Sequence, residues 1–225
     1  MKIKKLAQNT ILITLSSGKT ILIDPGKYNL DPDKYTIDSF PIADFVFITH
    51  KHADHYDLEL LKAMLSKKDS IIFTNNEING FLSQEGINST VVSIGDEVSE
   101  AGFIAKIIRT DHVVRDELII NFGIVFSADN SSFYHTSDTR YIDPSLLPKD
   151  IKSEVLFVPI SNRGVVMGID DALVFSSELK PKLVIPMHYD SPKDKDRVNP
   201  DEFKTKANLL GLNVRILSFG EEITL

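Results

Sequence analysis

The segment "FITHKHADHYD", residues 47–57, places three of the chain's six histidines and two aspartates behind a run of strand-forming residues. Imidazole and carboxylate groups at that density either bind metal or are polar loop residues crowded together by chance. His50 and His52 stand two apart, so an extended backbone turns both side chains to one side. Asp54 and His55 are adjacent and are expected to diverge, which suits a second centre a few ångströms away. Further polar residues follow apolar runs elsewhere: His112 in "TDH", His135 and Asp138 in "YHTSDT", and His188 in "PMHYD". Strand ends are where α/β folds build sites, because the strand fixes the backbone while the loop presents side chains. The chain has no cysteine, so a transition metal here must be held by imidazole and carboxylate, donors that suit Zn²⁺, Mn²⁺ or Fe²⁺. Two such ions ~3.5–4 Å apart hold a hydroxide between them at neutral pH and polarise a substrate oxygen.

These residues need elements to position them. "KIKKLA", "TILITL" and "TILIDP" read as strands, the last two joined by a hairpin at Ser17-Gly18. Ala43–His50 is a continuous apolar run typical of a buried strand. Leu58, Leu61, Met64 and Leu65 then repeat at helical spacing behind Asp57, an N-cap residue. Strands are expected at 70–74 and 89–94, with a short helix Glu77–Gln84 between them. Two hairpins follow, one turning near Gly102 and one at Ala128–Ser131. A strand at 154–160, a helix at 168–179 entered at Asp170, and a strand at 182–190 come next. A helix at 200–211 ends at Gly211, and "NVRIL" and "EEITL" close the chain as strands. Each half runs from meandering strands to strand–helix alternation. The expected fold class is therefore α/β, with two mixed sheets and helices packed outside both, a four-layer αββα sandwich forming a single domain over residues 1–225.

The bulk composition narrows the field. With 225 residues, 42% of them hydrophobic and 25% charged, the chain can bury a substantial core. A net charge of −7 argues against a broad electrostatic nucleic-acid footprint. No stretch approaches the ~20 apolar residues that span a bilayer, and the N-terminus lacks a signal-peptide pattern. A cytoplasmic protein acting on a small molecule, without membrane or nucleic-acid partners, is the expectation; a homo-oligomer is compatible with it.

The motif "THKHADH" resembles the HxHxDH signature of the metallo-β-lactamase superfamily. The other motifs fall in that superfamily's order: Asp24 in "ILIDPG", His112, Asp138 in "SDT", and His188. The stretch "VMGIDDALVFSSELKPKLVIPMHYD" is similar to the branch containing L-ascorbate-6-phosphate lactonase and uncharacterised metal-dependent hydrolases. The resemblance runs from Asp24 to Asp190. It implies a metallo-β-lactamase fold, with His50, His52 and His112 on one metal ion and Asp54, His55 and His188 on the other. Asp138 would bridge the two, Asp54 and Asp138 would serve the catalytic step, and Asp24 would orient the ligand loop. Two divalent ions are implied, zinc first, with manganese or iron as alternatives. The chain departs from the branch at Gln8-Asn9-Thr10, where relatives carry a Gly-His pair. It departs again at Ser137, which replaces a glycine, and at Arg140.

His135 lies three before Asp138 and reads as a structural histidine or a support behind the ligands rather than as a ligand. Asp111 reads as a turn or supporting aspartate. Asn162, Arg163 and Arg140 are the candidates for substrate binding, with Lys193 beside them, because arginine offers carboxylate and phosphate a bidentate fork. The resemblance favours a hydrolase of a lactone, phosphodiester or other small ester. The alternatives are an RNase Z type nuclease, a di-iron oxidoreductase, and a non-catalytic metal-binding module on the same fold. His52 argues against the di-iron reading, since those relatives tend to carry glutamate there.

Overall fold

The computed structural model describes every residue except 31–33, 150, 152 and 191–197. The chain divides into two compact units, Met1–Ser93 with Ser218–Leu225, and Ile94–Leu217. The first unit runs through β1 (Lys2–Lys5), β2 (Ile11–Thr14), β3 (Thr20–Ile23), β4 (Phe45–Ile48), α1 (Leu58–Leu65), β5 (Ile71–Thr74), α2 (Asn76–Gln84) and β6 (Thr90–Val91). The second holds β7 (Glu97–Glu100), β8 (Phe103–Arg109), β9 (Val113–Val114), β10 (Glu117–Leu118), β11 (Phe122–Ala128), β12 (Ser131–His135), β13 (Val155–Pro159), α3 (Ile169–Leu179), β14 (Leu183–Met187) and α4 (Pro200–Leu209). The last strand, β15 (Glu222–Thr224), returns to the first unit and pairs antiparallel with β1.

Each unit is built on one mixed sheet. Among the described residues the first has the order β15-β1-β2-β3-β4-β5-β6, antiparallel through β3 and parallel from there to β6. The second has the order β14-β13-β12-β11-β8-β7, antiparallel through β12 and parallel from β12 to β14. The sequence pattern explains the change of direction. Short turns such as Leu15–Lys19 can join only antiparallel neighbours, whereas α1 and α3 supply the crossovers that parallel pairs require.

The helices start where capping chemistry places them. The Asp57 carboxylate accepts from Leu60 N, which begins α1, and Asn75 accepts from Ile78 N, which begins α2. Leu60, Leu61 and Met64 of α1 pack against Leu22, Val46 and Ile48 of the first sheet. In the second unit Phe175 of α3 and Phe203 of α4 pack with Leu156, Val158 and Val184. No helix among the described residues is long and apolar enough to cross a membrane.

Several boundaries differ from the sequence expectation. The strand at 89–94 shrinks to Thr90–Val91, which pair in register with Phe73 and Thr74 at the end of β5, with one further bond from Val92 N to Thr74 O. "NVRIL" is not a strand: Val214 makes one isolated bridge to Val184. Helix α3 is entered at Gly168, not Asp170, and Asp170 and Asp171 occupy its first turn, where they face the positive end of the helix dipole. A ribbon of β9 and β10, belonging to neither large sheet, turns on Arg115 and Asp116, both at positive φ.

Asp44 ties the start of β4 to β3 and to the segment after α1. Its Oδ1 faces Lys19 Nζ and Lys68 Nζ, both at 2.9 Å, and its Oδ2 accepts from Thr20 N and Thr20 Oγ1. Burial alone would raise its pKa. The bonds from the Thr20 N–H, the two lysines and the Thr20 hydroxyl outweigh that and hold the carboxyl well below the usual carboxylate range. A carboxyl depressed in the folded state stabilises above its unfolded pKa of ~3.9, and that stability is lost as pH falls further. We expect Asp44→Asn to cost about 1–2 kcal/mol at pH 7, reduced by solvent screening of the exposed lysines. Urea titrations should show this difference shrinking as the pH is lowered from 5 to 3.

Candidate metal centre

The ligand loop of the first unit leaves β4 and is held from behind by Asp24, the residue just past β3. Asp24 adopts φ +54°, a left-handed conformation uncommon for a residue with a side chain. Its N–H bonds to Phe47 O, and its carboxylate is buried and fully engaged. Oδ1 accepts from Thr49 N at 2.8 Å, while Oδ2 meets Thr49 Oγ1 at 2.9 Å and His55 Nδ1 at 2.7 Å. A carboxylate against Nδ1 fixes the proton there and leaves Nε2 as the electron-pair donor. That Nε2 lies 3.7 Å from Asp54 Oδ2.

Asp54 and His55 therefore converge instead of diverging. Residues 51–55 form a tight turn, with His55 N and Tyr56 N both bonded to His52 O, so the two-residue alternation of an extended chain does not apply. His50 and His52 meet as expected: Nε2 of the first is 3.0 Å from Nδ1 of the second. His50 Nδ1 contacts Thr49 Oγ1 at 3.1 Å. Gly26 is required beneath this turn, since a methyl group there would overlap the Asp54 carbonyl. Lys27 N also bonds to Ala53 O, and Asn75 Nδ2 donates to Thr49 O.

The second unit gathers its own set. Asp138 Oδ2 lies 3.7 Å from His112 Nε2 and 3.4 Å from His188 Nε2. These gaps exceed a hydrogen bond. They lie at or just above the separation of two donors sharing one tetrahedral ion with bonds of 2.0–2.2 Å, about 3.3–3.6 Å. The Asp54–His55 gap has the same size, and these residues belong to His/Asp groups whose donor atoms fit a metal site. His112 Nδ1 is held by Val165 O at 3.0 Å, again directing Nε2 outward. Ser137, next to Asp138, and His188 both have positive φ. Asn121 secures this loop: Nδ2 donates to Asp138 O, and Oδ1 accepts from Ser137 Oγ and Phe122 N.

His135, fully buried in β12, accepts from Ser137 N through Nδ1 and stands beside Phe157; it supports the backbone before Asp138. Arg140 forks onto Asp111 Oδ2 with Nε at 3.2 Å and Nη2 at 3.0 Å, and its N–H bonds to Asp111 O. The pair ties the segment carrying His112 to the one carrying Asp138. Arg140, Ser161 and Asn162 line an open cleft of about 670 Å³, shared with Asp170, Asp171 and Glu202. Arg163 is exposed, and its N–H bonds to Ser161 Oγ. Lys193 lies outside the described residues. Sequence reasoning missed Thr49, Asn75 and Asn121, whose amide and hydroxyl groups resemble ordinary loop polarity until the fold shows which carbonyls they hold.

Residues 2–188 match the model of the beta-lactamase superfamily domain. A UPF0173 metal-dependent hydrolase of Methanocaldococcus jannaschii is 30% identical over 208 residues, covering 91% of this chain and 94% of that protein. The chain belongs to this superfamily, among its UPF0173 metal-dependent hydrolases. A metallo hydrolase from the hyperthermophilic archaeon Ignicoccus hospitalis superposes with a TM-score of 0.82 at 25% identity, covering 99% of this chain and 97% of that one. The metallo-beta-lactamase fold protein YhfI of Bacillus subtilis superposes at 0.75 with 16% identity, covering 99% of both chains, a likeness of fold alone. The fold class is thus the mixed α/β fold of the metallo-β-lactamases.

Gly26 supplies a test of how tightly this UPF0173 member holds its ligand turn. Gly26→Ala sets Cβ against backbone, which no rotamer change relieves, and should cost about 1–3 kcal/mol. Urea unfolding of the metal-free protein would measure it; a loss below a few tenths would mean that the turn yields.

Proposed function

We propose that this UPF0173 member is a cytoplasmic binuclear hydrolase of a small ester, lactone or phosphodiester. In this reading His50, His52 and His112 hold one divalent ion, Asp54, His55 and His188 hold a second, and Asp138 serves both. Zinc suits the donor set first, with manganese and iron as alternatives. The observation that carries the reading is the placing of His112 and His188 on one oxygen of Asp138, at 3.7 and 3.4 Å. A carboxylate approached by two imidazole donors at ligand–ligand spacing is what a shared centre requires. Divalent ions, when bound, supply a nucleophile from water at neutral pH and Lewis-acid polarisation of the substrate oxygen.

The chain's own groups do the rest. Asp54 orients the attacking water while completing its ligand set. Asp24 and the Val165 carbonyl keep the Nε2 lone pairs of His55 and His112 turned toward the donors beside them. We place the substrate's polar end in the cleft lined by Arg140, Ser161 and Asn162, with Arg163 at the margin of the same loop. Arg140 is already shared with Asp111, and Lys206, the other cation lining the cleft, pairs with two of its three acids, Asp170 and Glu202. That lining favours a neutral or zwitterionic group over a strongly anionic one.

Metal content per chain, measured by plasma mass spectrometry on wild type and Asp138→Ala, tests the proposal. We expect two equivalents in the wild type and a loss of at least one in the variant. Hydrolysis of some member of a lactone and phosphodiester panel should accompany the loaded wild type alone. A wild type holding one equivalent or none, unchanged by the substitution, would sink the binuclear reading and leave the binding-module alternative.

A further inference from the structure

Behind the first unit's ligand loop lies a chain of buried polar groups that no ligand assignment uses. Asn29 is fully buried and makes three side-chain bonds. Its Oδ1 accepts from Ala7 N at 2.8 Å, and its Nδ2 donates to Thr10 Oγ1 and to Gly26 O, both at 2.8 Å. Thr10, also fully buried, passes the connection on: its hydroxyl donates to Asp24 O at 2.5 Å. The backbone of Thr10 is itself pinned, with its N–H on Ala7 O and its carbonyl accepting from Leu6 N, across a turn in which Gln8 has φ +55°.

The far end of the chain is the Asp24 carboxylate, which grips Thr49 and His55 Nδ1. Asp24 sits in a left-handed conformation that is unfavourable for a residue with a side chain, and such a conformation persists only where its surroundings over-determine it. Its N–H is held by the strand and its carboxylate by the loop. The Asp24 carbonyl is held by Thr10, and by Gly26 N at 2.8 Å. Asn29 grips the Gly26 carbonyl and the Thr10 hydroxyl together, so both holds on the Asp24 carbonyl run through one amide.

We infer that Thr10 and Asn29 are positioning residues for the metal centre, acting through Asp24 to set the ring of His55. The inference rests on the proposed metal-binding role of His55. A neutral amide and hydroxyl suit this task, since each combines donor and acceptor without bringing a second charge beside the Asp24 carboxylate. The direction of the bonds is decided: Nδ2 can only donate, so the Thr10 oxygen accepts from it and spends its one proton on Asp24.

The test compares Thr10→Val, which keeps the shape and removes the hydroxyl, with the conservative Thr10→Ser and with Asn29→Ala. Zinc affinity is read by competition with a chromophoric chelator, and melting of the metal-free proteins is read separately. We expect Thr10→Val and Asn29→Ala to weaken zinc binding about 10- to 100-fold, the usual effect of removing support behind a ligand. Thr10→Ser should stay within about threefold of wild type. If Asn29→Ala does not fold, Thr10→Val carries the result by itself. Wild-type zinc affinity in Thr10→Val, with only its metal-free melting temperature lowered, would overturn the inference and leave a structural role. A wild type that binds no zinc would instead remove the metal reading on which the inference stands.

Discussion

The geometry of the first unit's ligand loop depends on one buried carboxylate. Asp24 meets Thr49 through both oxygens and His55 through one, and so joins the two ends of the segment that carries the histidine cluster. A charge buried this completely is costly unless its lone pairs are occupied. Three donors from the loop meet that requirement only while the loop keeps its shape. The dependence runs in both directions: the carboxylate fixes the His55 tautomer, and the loop compensates the carboxylate's desolvation.

The remaining supports share a physical logic. Three asparagine amides each hook a loop carbonyl: Asn29 takes Gly26 O, Asn75 takes Thr49 O, and Asn121 takes Asp138 O. An amide supplies donors and an acceptor on one rigid plane with no net charge. It can therefore fix backbone close to ligand carboxylates without competing for the metal as an added carboxylate would. Asp24, Ser137 and His188 all have positive φ, and all three lie on or next to candidate ligands and their supports. Strain at such points is tolerated where neighbouring bonds leave the backbone no alternative. Small residues are used with the same economy: at Gly26 even one methyl group would meet the Asp54 carbonyl.

The cleft lined by Arg140, Ser161 and Asn162 is chemically mixed, and its arginine illustrates why residue type alone is a poor guide to role. Arg140 has the fork suited to phosphate or carboxylate, yet it spends two of its donors on Asp111. That bond ties together the segments that carry His112 and Asp138, so the residue serves the frame of the site whatever it offers a ligand. Membership of the UPF0173 hydrolases fixes the general chemistry, while cleft residues such as Asn162 sit on a loop.

Much of the architecture was legible in the chain itself. Asp57 ahead of an apolar repeat specified the start of α1, and Ser17-Gly18 between apolar runs specified the first hairpin, because capping and turn geometry are settled by near neighbours. The candidate donors from His50 to His188 were equally visible, since the residue types that bind metal are few and the chain lacks cysteine. Local pattern failed where the outcome rested on a distant partner. "NVRIL" looks like a strand but meets β14 at a single bridge, and the 89–94 run pairs over two residues only. Asp54 and His55 were expected to part because alternation assumes an extended chain, and the tight turn at 52–56 cancels it. Asn29 carried no signal, and Thr10 showed only as part of a departure from the branch at the head of a strand-forming run; the two stand nineteen apart, and only the folded backbone brings amide, hydroxyl and carbonyl into line. The sequence by itself determined which groups could bind metal and which local elements would carry them. Tertiary structure decided which lone pairs are aimed and which carbonyls are held, because a hydrogen bond exists only at a distance and angle that no residue can fix alone.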